Sequence, residues 1–331
     1  MPSRVALVYN DPAPSRYDVV GEEKAVFSIL EVADEVYKSL LQLDYSVVRV
    51  PLVLPVTQAK ELLRSLNVDL IFNLFEGFSG YPETEALVPE IAIETGIPYT
   101  GCAVDILNLA LDKAKTKELL MSAGIKTPPF QVLMADTLAE FHLNFPCIIK
   151  PLKEDGSHGI SETSLVRDTA ELERQVTEVS TLYGGCSLIE EFIDGREFNA
   201  TVMGNSRLTV LPVSEIVFSL PPEMPRILTY AAKWEPGTTY FEGTEAVCPA
   251  KISEQQRKKI ANVALATYRA FHCRGYARVD MRLDKKDEVN VLEFNPNPDI
   301  SPGTGAARQA SAAGMTYTQF VKKIVSLAQK K

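Results

Sequence analysis

Apolar and polar positions change period repeatedly along the first hundred residues. RVALVYN (4–10) is a short apolar run that reads as a strand, and VFSILEVADEVYKSLLQLD (26–44) places its apolar residues on one helical face. YSVVRVPL (45–52) reads as the next strand. A helix is expected around Gln58 to Leu66, and VDLIFNLFEG (68–77) is a further strand closing on a polar turn. A helix over Thr84–Glu94 and a strand around Pro98–Tyr99 complete the series. Strands separated by amphipathic helices predict a parallel sheet with crossovers, so residues 1–102 are expected to form an open parallel α/β domain.

From Asp112 the pattern changes. DKAKTKELLMSAG (112–124) is a lysine-rich helix ending on glycine, and the TPP that follows breaks the chain. Shorter strands come next: FQVLMA, CIIKP, CSLIEEFI, EFNATVMG and LTVLPVSEIVF, with helices near Leu138 and over Ala170–Leu182. This predicts α+β organisation with antiparallel sheets, divided into a central unit over 103–190 and a C-terminal unit over 191–331. The longest irregular stretch, about Ser219 to Pro249, is rich in Pro, Gly, Thr and aromatics. A loop of that length is expected to act as a lid.

Composition narrows the function. A chain of 331 residues, 46% hydrophobic, has material for two or three domains. Its net charge of −9 argues against a nucleic-acid or membrane surface, so any anionic ligand needs a local basic site. No apolar run reaches the ~18–20 residues of a membrane span. MPSRVALVYN runs straight into a strand, so no signal peptide is expected. The five cysteines are widely spaced without a CxxC, which suggests reduced thiols and a cytoplasmic setting. Three histidines without shared spacing make a zinc site an unlikely expectation.

Candidate chemistry concentrates in RVDMRLDKKDEVNVLEFNPNPD (278–299), which reads as a β-hairpin around DKKDE. Asp280 and Glu293 can face one another across it, and Asn295 shares a face with Glu293. Two carboxylates and an amide oxygen form a hard-oxygen set suited to magnesium. The alternative is a salt-bridged sheet edge, with Arg278 and Arg282 as partners. Lys150 ends an apolar strand and is followed by KEDGSHGI (153–160), where Gly156, Gly159 and Ser157 offer amides and a hydroxyl to an anion. Neither a Walker loop nor a GxGxxG turn is present. In SLIEEFIDGREF (187–198), Glu190 and the peptides after it could meet an adenine edge and Glu197 a ribose diol. The alternative there is a strand with solvated acids.

Taken in order, GIPYTGC, LDKAKTK, FPCIIKPLKEDGSHGI, LIEEFIDGREF, AAKW, VCPA and GYARVDMRLD…VNVLEFNPNP resemble the ATP-grasp enzymes, specifically the D-alanine–D-alanine ligase branch. The resemblance implies an ATP-grasp fold and an ATP-dependent ligase working through an acyl phosphate. It implies that Lys113, Lys150 and Lys233 contact ATP phosphates, with Ser157 in the flap. Glu190, Glu191 and Ile193 would lie by the adenine and Glu197 by the ribose. Asp280, Glu293 and Asn295 would hold two magnesium ions, or manganese, and Arg278 would stabilise the charged intermediate. Trp234, Arg278, Ser301, Gly303 and Thr304 would face amino-acid or carboxylate substrates, in a cytoplasmic homodimer.

Departures cluster on the substrate side. The family's first turn carries a substrate-binding glutamate. The corresponding NDPAPSRYDVVGEEK offers only Glu22 and Glu23 nearby. Gly156 and Trp234 stand where the family has a serine and a tyrosine linked to that glutamate, so this hydrogen-bonded set is expected to be missing. NLFEGFSGYPETEA replaces a histidine-containing loop, and Ser301-Pro302-Gly303 arrives late after the metal set. The expected function is therefore a ligase with a divergent substrate site. An authentic D-alanine–D-alanine ligase and a non-catalytic nucleotide-binding regulatory subunit are the alternatives.

Overall fold

A computed structural model describes residues 3–12, 21–78 and 81–328. Residues 13–20 of NDPAPSRYDVVGEEK and residues 79–80 of NLFEGFSGYPETEA lie outside the described residues. Strands β1 (Arg4–Asn10), β2 (Ser46–Leu52) and β3 (Leu70–Leu74) form a parallel sheet in the order β2-β1-β3. Successive side chains of β1 and β3 serve opposite faces, because side chains alternate along a strand. Val5, Leu7, Leu70 and Phe72 pack on Ile29, Val32, Val36 and Leu40 of the helix Glu23–Gln42. Ala6, Val8 and Ile71 pack on Ala59, Leu63, Val88 and Ile91 on the other side. The helix Tyr317–Ala328, near the far end of the chain, joins the first face through Phe320, Val321 and Ile324.

Some expected elements take other forms. The helix expected over 84–94 is a 3-10 turn, Pro82–Ala86, followed by an α-helix, Leu87–Thr95. Thr84 Oγ1 accepts the Phe78 N–H and donates to the Tyr81 carbonyl, which tightens that first turn. The strand expected at Pro98–Tyr99 is a single bridge from Tyr99 to Ile71. The helix expected near Leu138 is one 3-10 turn, Leu138–Glu140.

A four-stranded antiparallel sheet has the order β4-β7-β5-β6, from β4 (Phe130–Leu133), β5 (Cys147–Pro151), β6 (Leu165–Val166) and β7 (Ser187–Glu191). The helix Thr169–Tyr183 covers it with Leu172, Val176 and Val179, one face of a 3.6-residue period. The largest sheet runs β11-β10-β8-β12-β13, with β9 also paired to β8. Its strands are β8 (Arg196–Met203), β9 (Thr209–Val210), β10 (Ser214–Phe218), β11 (Thr244–Val247), β12 (Tyr276–Leu283) and β13 (Val289–Pro296). Phe198, Ala200, Val202, Val279 and Met281 bury one face against Ile260, Ala264 and Tyr268 of the helix Glu254–Ala270. The opposite face carries the polar alternates Glu197, Asn199, Arg278, Asp280 and Arg282.

The segment expected to be irregular is ordered. It contains the helices Tyr230–Trp234 and Thr239–Glu242 and strand β11, around a small core of Leu220, Ala232 and Tyr240. Thr229 and Thr238 cap the two helices through their side chains. Among the described residues no helix is long and apolar enough to cross a membrane.

One buried side chain fixes the approach to the cavity. Gln309, on the helix Gly305–Ala312, is fully buried; it accepts from Thr201 N at 2.7 Å and donates to Asn199 O, Asn199 Oδ1 and Ser214 Oγ. Gln309→Ala strands the Thr201 amide and opens a cavity. It should lower the unfolding free energy by about 3 kcal/mol. Denaturant unfolding checks this, and a loss near zero would mean that water replaces the amide.

Candidate active site

The polar face of the large sheet, the four-stranded sheet and the carboxyl ends of β1 and β3 enclose one cavity of about 700 Å³. The β12–β13 hairpin forms its floor. Asp280 is the cross-strand partner of Glu293, but Met281 pairs with Val291, so Leu292 is an extra residue. This bulge lets Phe294 and Val291, an odd number of positions apart, both reach the core. Glu293 and Asn295 stay on the cavity side. Simple alternation would have put Val291 there with them.

Asp280 and Glu293 are each met by a cation. Arg278 is bidentate on Asp280, with Nε and Nη2 at 2.7 and 2.8 Å, and Asn295 Nδ2 donates to the same carboxylate at 3.0 Å. Arg278 thus pairs with Asp280 as the sheet-edge alternative expected. Arg282 instead holds Glu197 and the Ile193 carbonyl. Lys113 Nζ lies 2.7 Å from both Glu293 and Asp155. It is the first residue of the helix Lys113–Ser122, which Asp112 caps by accepting from Ala114 N and Lys115 N.

Glu190 differs from expectation. Its buried carboxylate lies 2.5 Å from Lys150 Nζ and contacts Lys117, so the side chain orients lysines rather than offering itself to an adenine edge. The two ammonium groups hold this carboxyl below its usual range against the opposing effect of burial. Glu191 accepts from Asn144 N and Nδ2. Burial, with the neighbouring Arg278 guanidinium, keeps the Lys233 ammonium below the usual lysine range, although Asp280, Glu293 and Glu197 oppose the shift.

The flap 154–160 and the lid segment are joined. Trp234 Nε1 donates to Gly156 O at 3.2 Å, and Ser157 Oγ donates to Leu228 O at 3.0 Å. The hydrogen-bonded set expected to be missing is therefore rebuilt with other atoms. Of Ser301, Gly303 and Thr304, only Thr304 lines the cavity. Ser301 instead bonds Asp299 through both N and Oγ, and the Gly303 carbonyl accepts from Arg308. Gly305 leaves room for the guanidinium, since a Cβ there would stand 3.2 Å from Arg278 Nη1.

Sequence reasoning assigned no role to Glu76, Glu85, Asp299 or Arg308, all of which line the cavity. Glu76 keeps an exposed surface, yet the protein packed around it and the neighbouring Asp299 and Asp155 push its carboxyl up to about 7. Glu85 is raised well above its usual range by burial, with Asp155 and Glu76 adding to it. One signal was available. Glu76 lies two residues beyond β3, beside Asn10 at the end of β1, and the carboxyl ends of adjacent strands are where open α/β sheets bind ligands. Asn10 Oδ1 accepts the Glu76 N–H, and its Nδ2 donates to Gly77 O.

Residues 119–326 match the family described as the D-ala D-ala ligase C-terminus. The protein y4sG of Sinorhizobium fredii is 35% identical over 79% of this chain and 75% of its own. A D-alanine–D-alanine ligase of Carboxydothermus hydrogenoformans is 32% identical over 90% of this chain and 92% of its own. This chain belongs to the D-alanine–D-alanine ligase family. It is an ATP-grasp, ATP-dependent carbon–nitrogen ligase of that type. The VanG D-Ala:D-Ser ligase of Enterococcus faecalis shares the fold, with a TM-score of 0.78 at 21% identity over 99% of this chain and 100% of that one. A Bacillus anthracis D-alanine–D-alanine ligase complexed with ATP has a TM-score of 0.74 at 21% identity, over 98% of this chain and 97% of that one.

Among the described residues no group of three or more His, Cys, Asp or Glu side chains is placed to hold a metal. The family's metal is magnesium, and the set here has two carboxylates and one amide. Magnesium takes its remaining ligands from phosphate oxygens and water, so two carboxylates suffice. Asp280 and Glu293 fit that role, being cross-strand partners on the cavity face that now pair with the Arg278 and Lys113 cations.

Burial alone pushes the Glu293 carboxyl up, but Lys113 at 2.7 Å, reinforced by Lys150 and Lys233, outweighs it and holds the group at about 2. A carboxyl depressed from 4.5 contributes stability that is fully present above that value and is lost as the pH falls towards 2. Lys113→Met removes the principal cause. The stability gap between wild type and variant should be constant above a pH of about 5 and narrow on acidification. Urea unfolding across that range measures it, and a gap that widens in acid would contradict the pair.

Proposed function

We propose that this ligase joins a carboxylate to an amine through an acyl phosphate, with substrates other than, or wider than, D-alanine. The observation that carries the reading is the convergence of Lys113, Lys150, Lys233 and Arg278 with the Asp280–Glu293 pair on one cavity. The lysines bind the ATP phosphates, the Glu191–Ile193 backbone meets the adenine, and Glu197 takes the ribose. Asp280, Glu293 and Asn295 would hold two magnesium or manganese ions. The bound metal supplies positive charge to the phosphates. The substrate carboxylate attacks the γ-phosphorus and ADP leaves. The amine nitrogen then attacks the acyl carbon and loses a proton, and phosphate departs. Arg278 faces the oxyanion formed in that second step. The joined flap and lid keep water from the acyl phosphate.

Glu76, Glu85 and Asp299 give the cavity an acidic end, which favours substrates that present an ammonium group, as amino acids do. The five free cysteines accord with a cytoplasmic enzyme, and a homodimer is part of the same reading. ADP release across a panel of amino acids and small acids is the test, with the highest kcat/KM expected for a pair other than two D-alanines. D-alanine alone giving the highest value would identify an authentic D-alanine–D-alanine ligase, a reading favoured by the 32% identity to the Carboxydothermus hydrogenoformans enzyme. ATP binding without ADP release on any substrate would point to a regulatory subunit.

The lysines yield a second prediction. Lys150→Ala and Lys233→Ala should each weaken ATP binding about tenfold or more while leaving adenosine binding nearly unchanged, because charge-assisted bonds to phosphate are lost. Calorimetry with both ligands decides this, and equal losses for the two would contradict phosphate contact.

A further inference from the structure

The cations around the cavity are not alike. Lys113, Lys150, Arg278 and Arg282 each lie against a carboxylate. Arg308 also lines the cavity, yet among the described residues no acid pairs with it. The titratable group that faces it is the Cys248 thiol, which burial pushes up and so keeps neutral. Partial burial meanwhile holds the Arg308 guanidinium below the usual arginine range. Among the described residues its acceptor is the Gly303 carbonyl, taken by Nη2. A guanidinium carries five N–H donors in a planar fork, so most of them are left for a ligand.

The neighbouring residue fixes where this fork stands. Gln309 donates to Asn199 Oδ1 on β8 at 2.6 Å and to Ser214 Oγ on β10 at 3.1 Å. Ser214 is the cross-strand partner of Asn199, and Asn199 is the partner of Asp280 on β12. The helical turn carrying Arg308 therefore sits over a strand two removed from the Asp280–Glu293 pair, roughly 10 Å away at the spacing of paired strands. The wall beside it is apolar: Ile216 and Ala246, cross-strand partners on β10 and β11, both line the cavity. Cys248 lies two residues beyond Ala246, on the same face by alternation. One limb of the cavity thus leads from the metal pair, past an apolar wall, to a cation without a counter-charge.

We propose that Arg308 is a specificity-determining residue that binds a carboxylate held several bonds away from the amine nitrogen of the second substrate. This rests on the ligase reading and narrows its amine to an amino acid with an acidic side chain or a short peptide with a free C-terminal carboxylate. An amine attacking the acyl phosphate lies beside the metal pair. The α-carboxylate of an amino acid, two bonds from that nitrogen, is too near to reach Arg308, whereas a group several bonds further out is not. The intervening carbons pass Ile216 and Ala246, and the fork receives the carboxylate at its far end.

Amines matched in shape but differing in charge test this: glutamate against glutamine, and alanylalanine against its C-terminal amide, each as both enantiomers. All are offered to the full chain with magnesium, ATP and the acid that releases most ADP. Wild type should show a kcat/KM about tenfold higher or more for the charged member of one pair, the worth of one charge-assisted contact. The pair that responds tells whether a side chain or a peptide terminus supplies the carboxylate. Arg308→Gln, whose amide can still donate to the Gly303 carbonyl, should bring the ratio to about one, chiefly by raising KM for the charged amine. Arg308→Lys should keep most of the preference, and Arg308→Met decides the question if Arg308→Gln does not fold. Ratios near one for both pairs in wild type, or a ratio that survives the loss of charge at this position, overturn the proposal.

If wild type releases no ADP with any amine, the ligase reading fails and binding decides the role of Arg308 separately. By calorimetry with magnesium and ADP present, the charged member of one pair should bind wild type about tenfold more tightly than it binds Arg308→Gln. Equal affinities for the two proteins overturn the proposal.

Discussion

Gathering several positive charges around one cavity is the constraint on which the rest of this structure depends. Like charges about 4 Å apart repel by roughly 4 kcal/mol at the effective dielectric of a protein surface. Lys113, Lys117, Lys150 and Arg278 are each held against a specific carboxylate: Glu293 with Asp155, Glu190, Glu190 again, and Asp280. Glu190 is the tightest case, since it is 1% exposed and serves two lysines from near the end of β7. The carboxylates come from two different sheets and from the flap, so these parts must stay in register with one another for the lysines to stay charged and in place.

That requirement explains why the acids occupy strands. A strand of the large sheet gives one face to the core and one to the cavity, and the core face is filled by Phe198, Ala200, Val202, Val279 and Met281. What looks in sequence like a core interrupted by acids is two faces read in turn. The bulge at Leu292 then lets one strand bury Val291 and Phe294 while keeping Glu293 and Asn295 in the cavity. Gln309 and the Arg282–Glu197 pair perform the same service at the margins, each tying a cavity-lining segment to backbone that is already fixed.

The two ends of the cavity differ in the groups that line them. The end built on the antiparallel sheets is cationic and suits phosphates. The end built on the carboxyl edge of β1 and β3 carries Glu76, Glu85 and Asp299 and raises the first two carboxyls above their usual range. The flap and lid close over the middle, where the two ends join.

Much of this was legible along the chain. The parallel first sheet, the antiparallel remainder and the Asp280–Glu293–Asn295 hairpin follow from hydrophobic period and residue type, which depend only on neighbours in sequence. Lys113, Lys150, Lys233 and Arg278 were singled out through the resemblance of short local motifs to the family, and all four line the cavity. Tertiary structure alone decided the partners. It sent the Glu190 carboxylate to Lys117 and Lys150, turned Ser301 onto Asp299, brought Glu22 against a histidine 136 positions away, and set Glu76 near both Asp299 and Glu85. A side chain's period tells which face it takes, but its partner is whatever another segment of the chain delivers to that face. That pairing is set by how the sheets and helices pack together, which no local pattern encodes.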